Sequence, residues 1–181
     1  LYEISFINWA DPKQFASSTI DEVAKMLDVD VAAIGRIEGD EWIGYAVADN
    51  KGMGLKEDIH FPLDDIYCGI VRDTKRPLVI NDAARSEEFK NHPGFLKYGL
   101  ASYLGVPLFI EDKLFGILCT FNSSPHNYTE YDLIIQQLLT KRLEFEFIKE
   151  KYEIELMFAM MEADAANKTK SDFLANMSHE L

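Results

Sequence analysis

Ser102-Tyr103-Leu104-Gly105-Val106-Pro107-Leu108-Phe109-Ile110 and Lys113-Leu114-Phe115-Gly116-Ile117-Leu118-Cys119-Thr120-Phe121, separated only by Glu111-Asp112, decide the fold of this chain. A two-residue connection between β-rich runs predicts an antiparallel hairpin. Apolar residues occur on both faces of these strands, so the sheet they enter must be covered on both sides.

Upstream, Asp11 to Leu27 has helical spacing, with Phe15, Ile20, Val23, Ala24 and Leu27 on or near one stripe. Val31 to Ile37 and Glu41 to Val47 read as strands joined by a tight turn at Glu38-Gly39-Asp40. Asp49 to Gly54 reads as a flexible stretch, leading to an alternating segment that ends at His60-Phe61-Pro62. Asp64-Asp65 are expected to cap a short helix through Ile66, Ile70 and Val71 that ends before Pro77. Leu78-Val79-Ile80 is a short strand, and Ala83 to Tyr98 is loop and short helix. This order of elements predicts an α+β domain with a central antiparallel sheet flanked by helices.

Downstream the composition changes. Every Gly and Pro lies at or before Pro125, and Asn127 to Leu181 contains neither. Thr129 followed by Asp132 has the pattern of a capping box, so one long helix is expected from there to the end. Its apolar seam runs through Phe145, Ile148, Tyr152, Leu156, Ala159, Ala163, Ala166, Phe173 and Met177. The steps alternate three and four except at 148, 152 and 156, because Glu155 occupies the strict heptad position. A parallel homodimeric coiled coil with a stutter is the expected arrangement. Leu1 to Trp9 reads as the end of a helix from an upstream domain.

Length and charge narrow the function. The chain has 181 residues, 48% of them hydrophobic, enough for one packed domain with an extension. A net charge of -13 argues against nucleic acid as a partner. No apolar run reaches the roughly 18 residues that a membrane span needs, so no membrane contact is expected here. The segment is expected to be soluble and cytoplasmic, with any membrane anchor of its parent upstream. Cys68 and Cys119 show no C-x-x-C spacing, so neither a metal site nor a disulfide framework is expected, and the pair reads as buried thiols.

The hairpin, in Tyr103-Leu104-Gly105-Val106-Pro107-Leu108 and Lys113-Leu114-Phe115-Gly116-Ile117-Leu118-Cys119, resembles a GAF domain, as does Arg76-Pro77-Leu78-Val79-Ile80-Asn81-Asp82-Ala83. The resemblance covers about Asp11 to Ile148. It implies a small-molecule site between one sheet face and the segments Asp49 to Gly69 and Ala83 to Tyr98. His60, Cys68, His92 and Tyr103 are the candidate ligand-binding residues. Either histidine could be the axial ligand of a haem, and Cys68 a redox-sensitive thiol. Bilin-binding members often carry C-H-x-x-Y-L, but Asn91-His92-Pro93-Gly94-Phe95-Leu96 has Asn in place of the attachment cysteine, which speaks against a covalent bilin. Cyclic-nucleotide members carry N-K and then F-x-x-x-D-E; Asn50-Lys51 and Phe61 to Asp65 match in part, but Ile66 replaces the glutamate.

Phe173-Leu174-Ala175-Asn176-Met177-Ser178-His179-Glu180-Leu181 closely resembles a second signature, the phosphoacceptor segment of sensor histidine kinases. The resemblance implies that His179 attacks the γ-phosphate of ATP held by a separate catalytic domain. The phosphoryl group then passes to an aspartate of a response regulator. The chemistry suits the residues: imidazole is nucleophilic near neutral pH, and the neighbouring Glu180 carboxylate can orient it and stabilise charge. At about 100° per residue, Phe173 and Met177 share a face while His179 points elsewhere.

Together these readings divide the chain into an upstream helix end (1–10), a GAF sensory domain (11–128), a dimeric signalling helix (129–170) and the start of a dimerisation and histidine-phosphotransfer domain (171–181). The parent is then an ATP-dependent protein-histidine kinase, and this segment, without the nucleotide-binding domain, should be inactive alone. The alternatives are a non-enzymatic GAF dimerisation module with a vestigial pocket, and a standalone redox enzyme that would lose turnover on Cys68→Ser.

Overall fold

The computed structural model describes the backbone of residues 12–179 and the side chains of 12–172 and 174. The helix end expected over residues 1–10, and Glu180, lie outside the described residues. The chain divides into two units, Leu1–Phe145 and Glu146–Leu181.

In the first unit, helix α1 (Pro12–Met26) precedes strands β1 (Val31–Glu38), β2 (Glu41–Asp49) and β3 (His60–Pro62). Then come α2 (Cys68–Thr74), β4 (Leu78–Ile80), α3 (Pro93–Leu96), β5 (Ser102–Ile110) and β6 (Lys113–Asn122). Helix α4 (Glu130–His179) begins in this unit and carries the second. The six strands form one sheet in the order β3-β2-β1-β6-β5-β4, antiparallel throughout. The expected central hairpin is β5–β6, and its turn holds both Glu111 and Asp112 at positive φ, the geometry of a two-residue hairpin turn.

Both faces of the central strands are buried. Tyr103, Ile117, Cys119 and Phe121 join Val31, Ala33 and Trp42 in a core on one face. The alternate residues Leu104, Leu108 and Leu118 are buried as well. There they meet α4 and α1, which buries the predicted stripe of Phe15, Ile20, Val23 and Ala24. The Arg142 guanidinium lies 5.7 Å from the Phe15 ring centre and ties α4 to α1.

Helix α4 opens on the predicted capping box. The Thr129 N–H donates to Asp132 Oδ2 at 2.7 Å, and the Asp132 N–H donates to Thr129 Oγ1 at 3.2 Å. Just before it, Tyr128 is buried, and its N–H donates to Asn81 Oδ1 at 3.0 Å. Nearly two turns into the helix, the fully buried Gln136 donates through Nε2 to the carbonyls of Leu104 (3.0 Å) and Leu118 (2.8 Å), and its Oε1 accepts from Thr120 Oγ1 (3.2 Å). Two turns later, Glu144 accepts the Phe109 N–H at 2.8 Å, at the irregularity between Leu108 and Phe109 where the β5–β6 register shifts.

Two local expectations are corrected. Asp49 to Gly54 is not a loose stretch: the Asp49 carboxylate accepts the N–H groups of Met53 (2.9 Å), Gly54 (2.8 Å) and Leu55 (3.1 Å), closing the loop on itself. Asp64 and Asp65 do not cap a helix. They sit in a short 3-10 turn, and α2 starts later, behind Tyr67, with no side-chain cap. The carboxylates are drawn instead to cations: Asp64 to Arg72 (3.5 Å) and Asp65 to Lys97 (2.6 Å).

In the second unit, every described side chain from 151 on is exposed, including Leu156, Met157, Phe158, Met160 and Met161. No helix among the described residues is long and apolar enough to cross a membrane.

Gln136→Ala would leave the carbonyls of Leu104 and Leu118 and the Thr120 hydroxyl without their buried partner. A loss on the order of 3 kcal/mol is expected in urea unfolding. An effect under 0.5 kcal/mol would show that the bridge is not what holds α4 to the sheet.

Candidate functional site

A cavity of about 220 Å³ opens between the Tyr103 face of the sheet and the segments that cross over it. Its floor is Trp42, Tyr103, Cys119 and Phe121; its walls are Met53, Gly54, Leu55, Ile59 and Phe61 on one side and Ile66, Tyr67, Cys68, Tyr98 and Leu100 on the other. The alternation of β5 and β6 selects these floor residues, because Tyr103 and Phe121 are register partners and Gly105 pairs with Cys119. Gly105 matters by what it lacks. A Cβ there would stand 2.2 Å from Tyr103 Oη, so only glycine lets the phenol lie along the strand.

Cys68, the first residue of α2, brings its Sγ to 3.1 Å from Tyr103 Oη. Cys119 is hydrogen-bonded to Cys68, and that bond together with burial pushes its thiol well above the ordinary range. Burial, reinforced by the two thiols, pushes the Tyr103 phenol up as well. Cys119 and Tyr103 are therefore neutral at physiological pH. Burial also raises Tyr67, to about 12, and its hydroxyl donates to the Leu100 carbonyl at 3.2 Å.

The rim is charged while the lining is not. Asp65 accepts from Lys97 Nζ (2.6 Å) and from the Tyr98 hydroxyl (3.3 Å), and the Lys97 bond, the largest influence, holds this carboxyl below its usual range. The Tyr98 ring meets the edge of Phe61 at 5.3 Å. Opposite stands the Asp49 loop. Burial alone would raise Asp49, but its backbone N–H donors outweigh burial and hold it low, so it stays ionised and keeps the Met53 to Leu55 wall in place.

Of the four residues singled out in the sequence, Cys68 and Tyr103 meet in the cavity, while neither His60 nor His92 lines it. The His60 ring is exposed on an edge strand, 2.7 Å from Glu41 Oε2. The His92 ring stacks on Tyr67 at 4.7 Å behind the wall, and its Nδ1 accepts the Gly94 N–H at 3.0 Å as the cap of α3. As the side chains stand, neither imidazole reaches a haem iron held in the cavity. Trp42, Tyr67, Tyr98 and the Asp49 clamp were not singled out from sequence. Only the clamp had a local signal, an aspartate preceding Asn50-Lys51-Gly52-Met53-Gly54.

This architecture is that of a known family. Residues 11–147 match the GAF domain, and the chain belongs to that family of sensory modules in signalling proteins. Over 119 residues, 61% of this chain, it is 31% identical to hybrid signal transduction histidine kinase G of Dictyostelium discoideum, of which it spans 4%. Among solved structures, the phycoerythrobilin-bound GAF domain of a cyanobacterial phytochrome is similar with a TM-score of 0.70 at 19% identity, covering 80% of this chain and 89% of that one. Free methionine-R-sulfoxide reductase of Neisseria meningitidis, in complex with its substrate, gives 0.62 at 17% identity, covering 78% and 81%. At these identities the likeness is one of fold.

Burial lowers the His92 pKa from 6.5, outweighing the opposing pull of Asp65. Below about pH 6.5 the unfolded chain therefore binds this proton more readily than the folded domain, and stability should fall as the pH drops through that value. His92→Asn keeps an acceptor for the Gly94 N–H and cannot titrate. Denaturant midpoints between pH 7.5 and 5.5 should decline in the native protein and be flatter in the variant; equal slopes would refute the assignment.

Proposed function

We propose that this chain is the sensory and phosphoacceptor portion of a two-component sensor histidine kinase. Its GAF cavity takes a small-molecule signal, and the state of that cavity controls phosphorylation of His179 and transfer to a response regulator. The observation that carries the reading is the nine-residue phosphoacceptor match at 173–181, reached by the same helix that opens on the Thr129–Asp132 box. Similarity to a hybrid histidine kinase supports it.

In this reading His179 is the nucleophile, and Glu180 holds its ring and balances the charge of the phosphoramidate. ATP comes from the parent's catalytic domain. The helix acts as a dimer, since Leu156, Met157, Phe158 and their neighbours present apolar area that a second copy would cover. Tyr67, Cys68 and Tyr103 receive the signal. A change there shifts β5 and β6, and α4 follows.

With the parent's catalytic domain and ATP supplied, acid-labile phosphate should map to His179 and disappear in His179→Gln; label that persists in the variant rejects the assignment. Light scattering of this chain should give a dimer at micromolar concentration. Glu155→Leu, which completes the heptad seam, should strengthen that dimer and lock kinase output in one state. A monomer in the first measurement, or unchanged stability and response in the second, would remove the seam from the mechanism.

A further inference from the structure

The cavity's lining carries a narrower message than its presence. Six of the lining residues are aromatic, and none is Asp, Glu, Lys, Arg or His. An anion entering it would lose its hydration and meet no cation in the lining; at the rim Lys97 is already paired with Asp65, and the Asp49 carboxylate and the net charge of -13 would repel it. Phosphorylated and carboxylated ligands are thereby disfavoured. Size excludes more: about 150 Å³ of apolar cavity suffices for a benzene ring, and this one holds about 220 Å³. That is room for one ring with a substituent or for two fused rings, and too little for a tetrapyrrole.

The Tyr67 hydroxyl is engaged by the Leu100 carbonyl and the Tyr98 hydroxyl by Asp65. The N–H groups of Met53, Gly54 and Leu55 are turned to Asp49. The Trp42 indole N–H is buried without a partner and lies against Gly35. What remains is Tyr103, whose hydroxyl, among the described residues, has the Cys68 thiol as its hydrogen-bond partner. When the thiol donates to Oη, the phenol hydrogen is left for an acceptor on a ligand.

We infer that the cavity takes a small, uncharged aromatic compound carrying one hydrogen-bond acceptor, with its ring among Trp42, Phe61 and Tyr98 and its acceptor on Tyr103 Oη. This rests on the reading of the cavity as the sensory site. The ligand's ring supplies the apolar contact, and Tyr103 sets its direction.

Four probes test it by calorimetry and melting shift on the whole chain at pH 7.5. Acetophenone has ring and acceptor, ethylbenzene the same outline without the acceptor, benzoate a negative charge, and biliverdin excess size. Acetophenone should bind at least tenfold more tightly than benzoate and severalfold more tightly than ethylbenzene, and biliverdin should not bind. Tyr103→Phe should erase the difference between acetophenone and ethylbenzene while both still bind. Leu55→Trp, which fills the cavity from its half-exposed loop, should abolish both, and it serves as the test if Tyr103→Phe does not fold.

Benzoate binding as tightly as acetophenone, or a preference for acetophenone that survives Tyr103→Phe, would overturn the assigned class. Biliverdin binding without the ring probes would also overturn it, while leaving the cavity a ligand site. If no probe binds and Leu55→Trp melts as the native chain does, both the class and the sensory reading of the cavity fall.

Discussion

A buried amide holds the long helix to the middle of the sheet. Gln136 reaches the carbonyls of Leu104 and Leu118 on neighbouring strands and the hydroxyl of Thr120. In an interior that excludes water, such a group is either fully paired or costly, so this stretch of α4 cannot slide along the sheet without breaking bonds to two strands at once. Glu144 makes a second attachment two turns on, at the register shift of β5.

The strands so gripped are the strands that floor the cavity. Leu104 and Leu118 face the helix; their neighbours Tyr103 and Cys119 face the cavity, because side chains alternate along a strand. A displacement of β5 or β6 on one face is therefore a displacement on the other. This is the physical basis for the proposal that the state of the cavity bears on α4, and it needs no chain of relays: the two faces share a backbone.

Charge is arranged with the same economy. Asp49, Asp64 and Asp65, which the sequence presents as loop and cap residues, are structural clamps. One gathers backbone N–H groups, and two pair with cations from other elements. They fix the walls and rim while leaving the lining neutral. Beyond the GAF unit the pattern inverts, and apolar side chains of α4 stand exposed above a polar background. Such a surface is what a helix-pairing partner would cover, in keeping with the proposed dimer.

Periodicity alone determined much of this protein. The alternation at 102–121, the stripe of α1 and the Gly- and Pro-free run after Pro125 are local patterns, and local patterns survive translation into helices and strands because backbone hydrogen bonding is short-ranged. The capping box could be read for the same reason, since its partners lie three residues apart. What only tertiary structure decided is pairing across long separations. Cys68 meets Tyr103 across 35 positions, Asp65 takes Lys97 across 32, and Gln136 finds Leu104 across 32. His60 and His92 show the converse: their chemistry made them candidates, but one stands on an edge strand and the other is turned behind Tyr67 to cap α3. Residue type announces what a side chain can do, and packing decides which surface it faces.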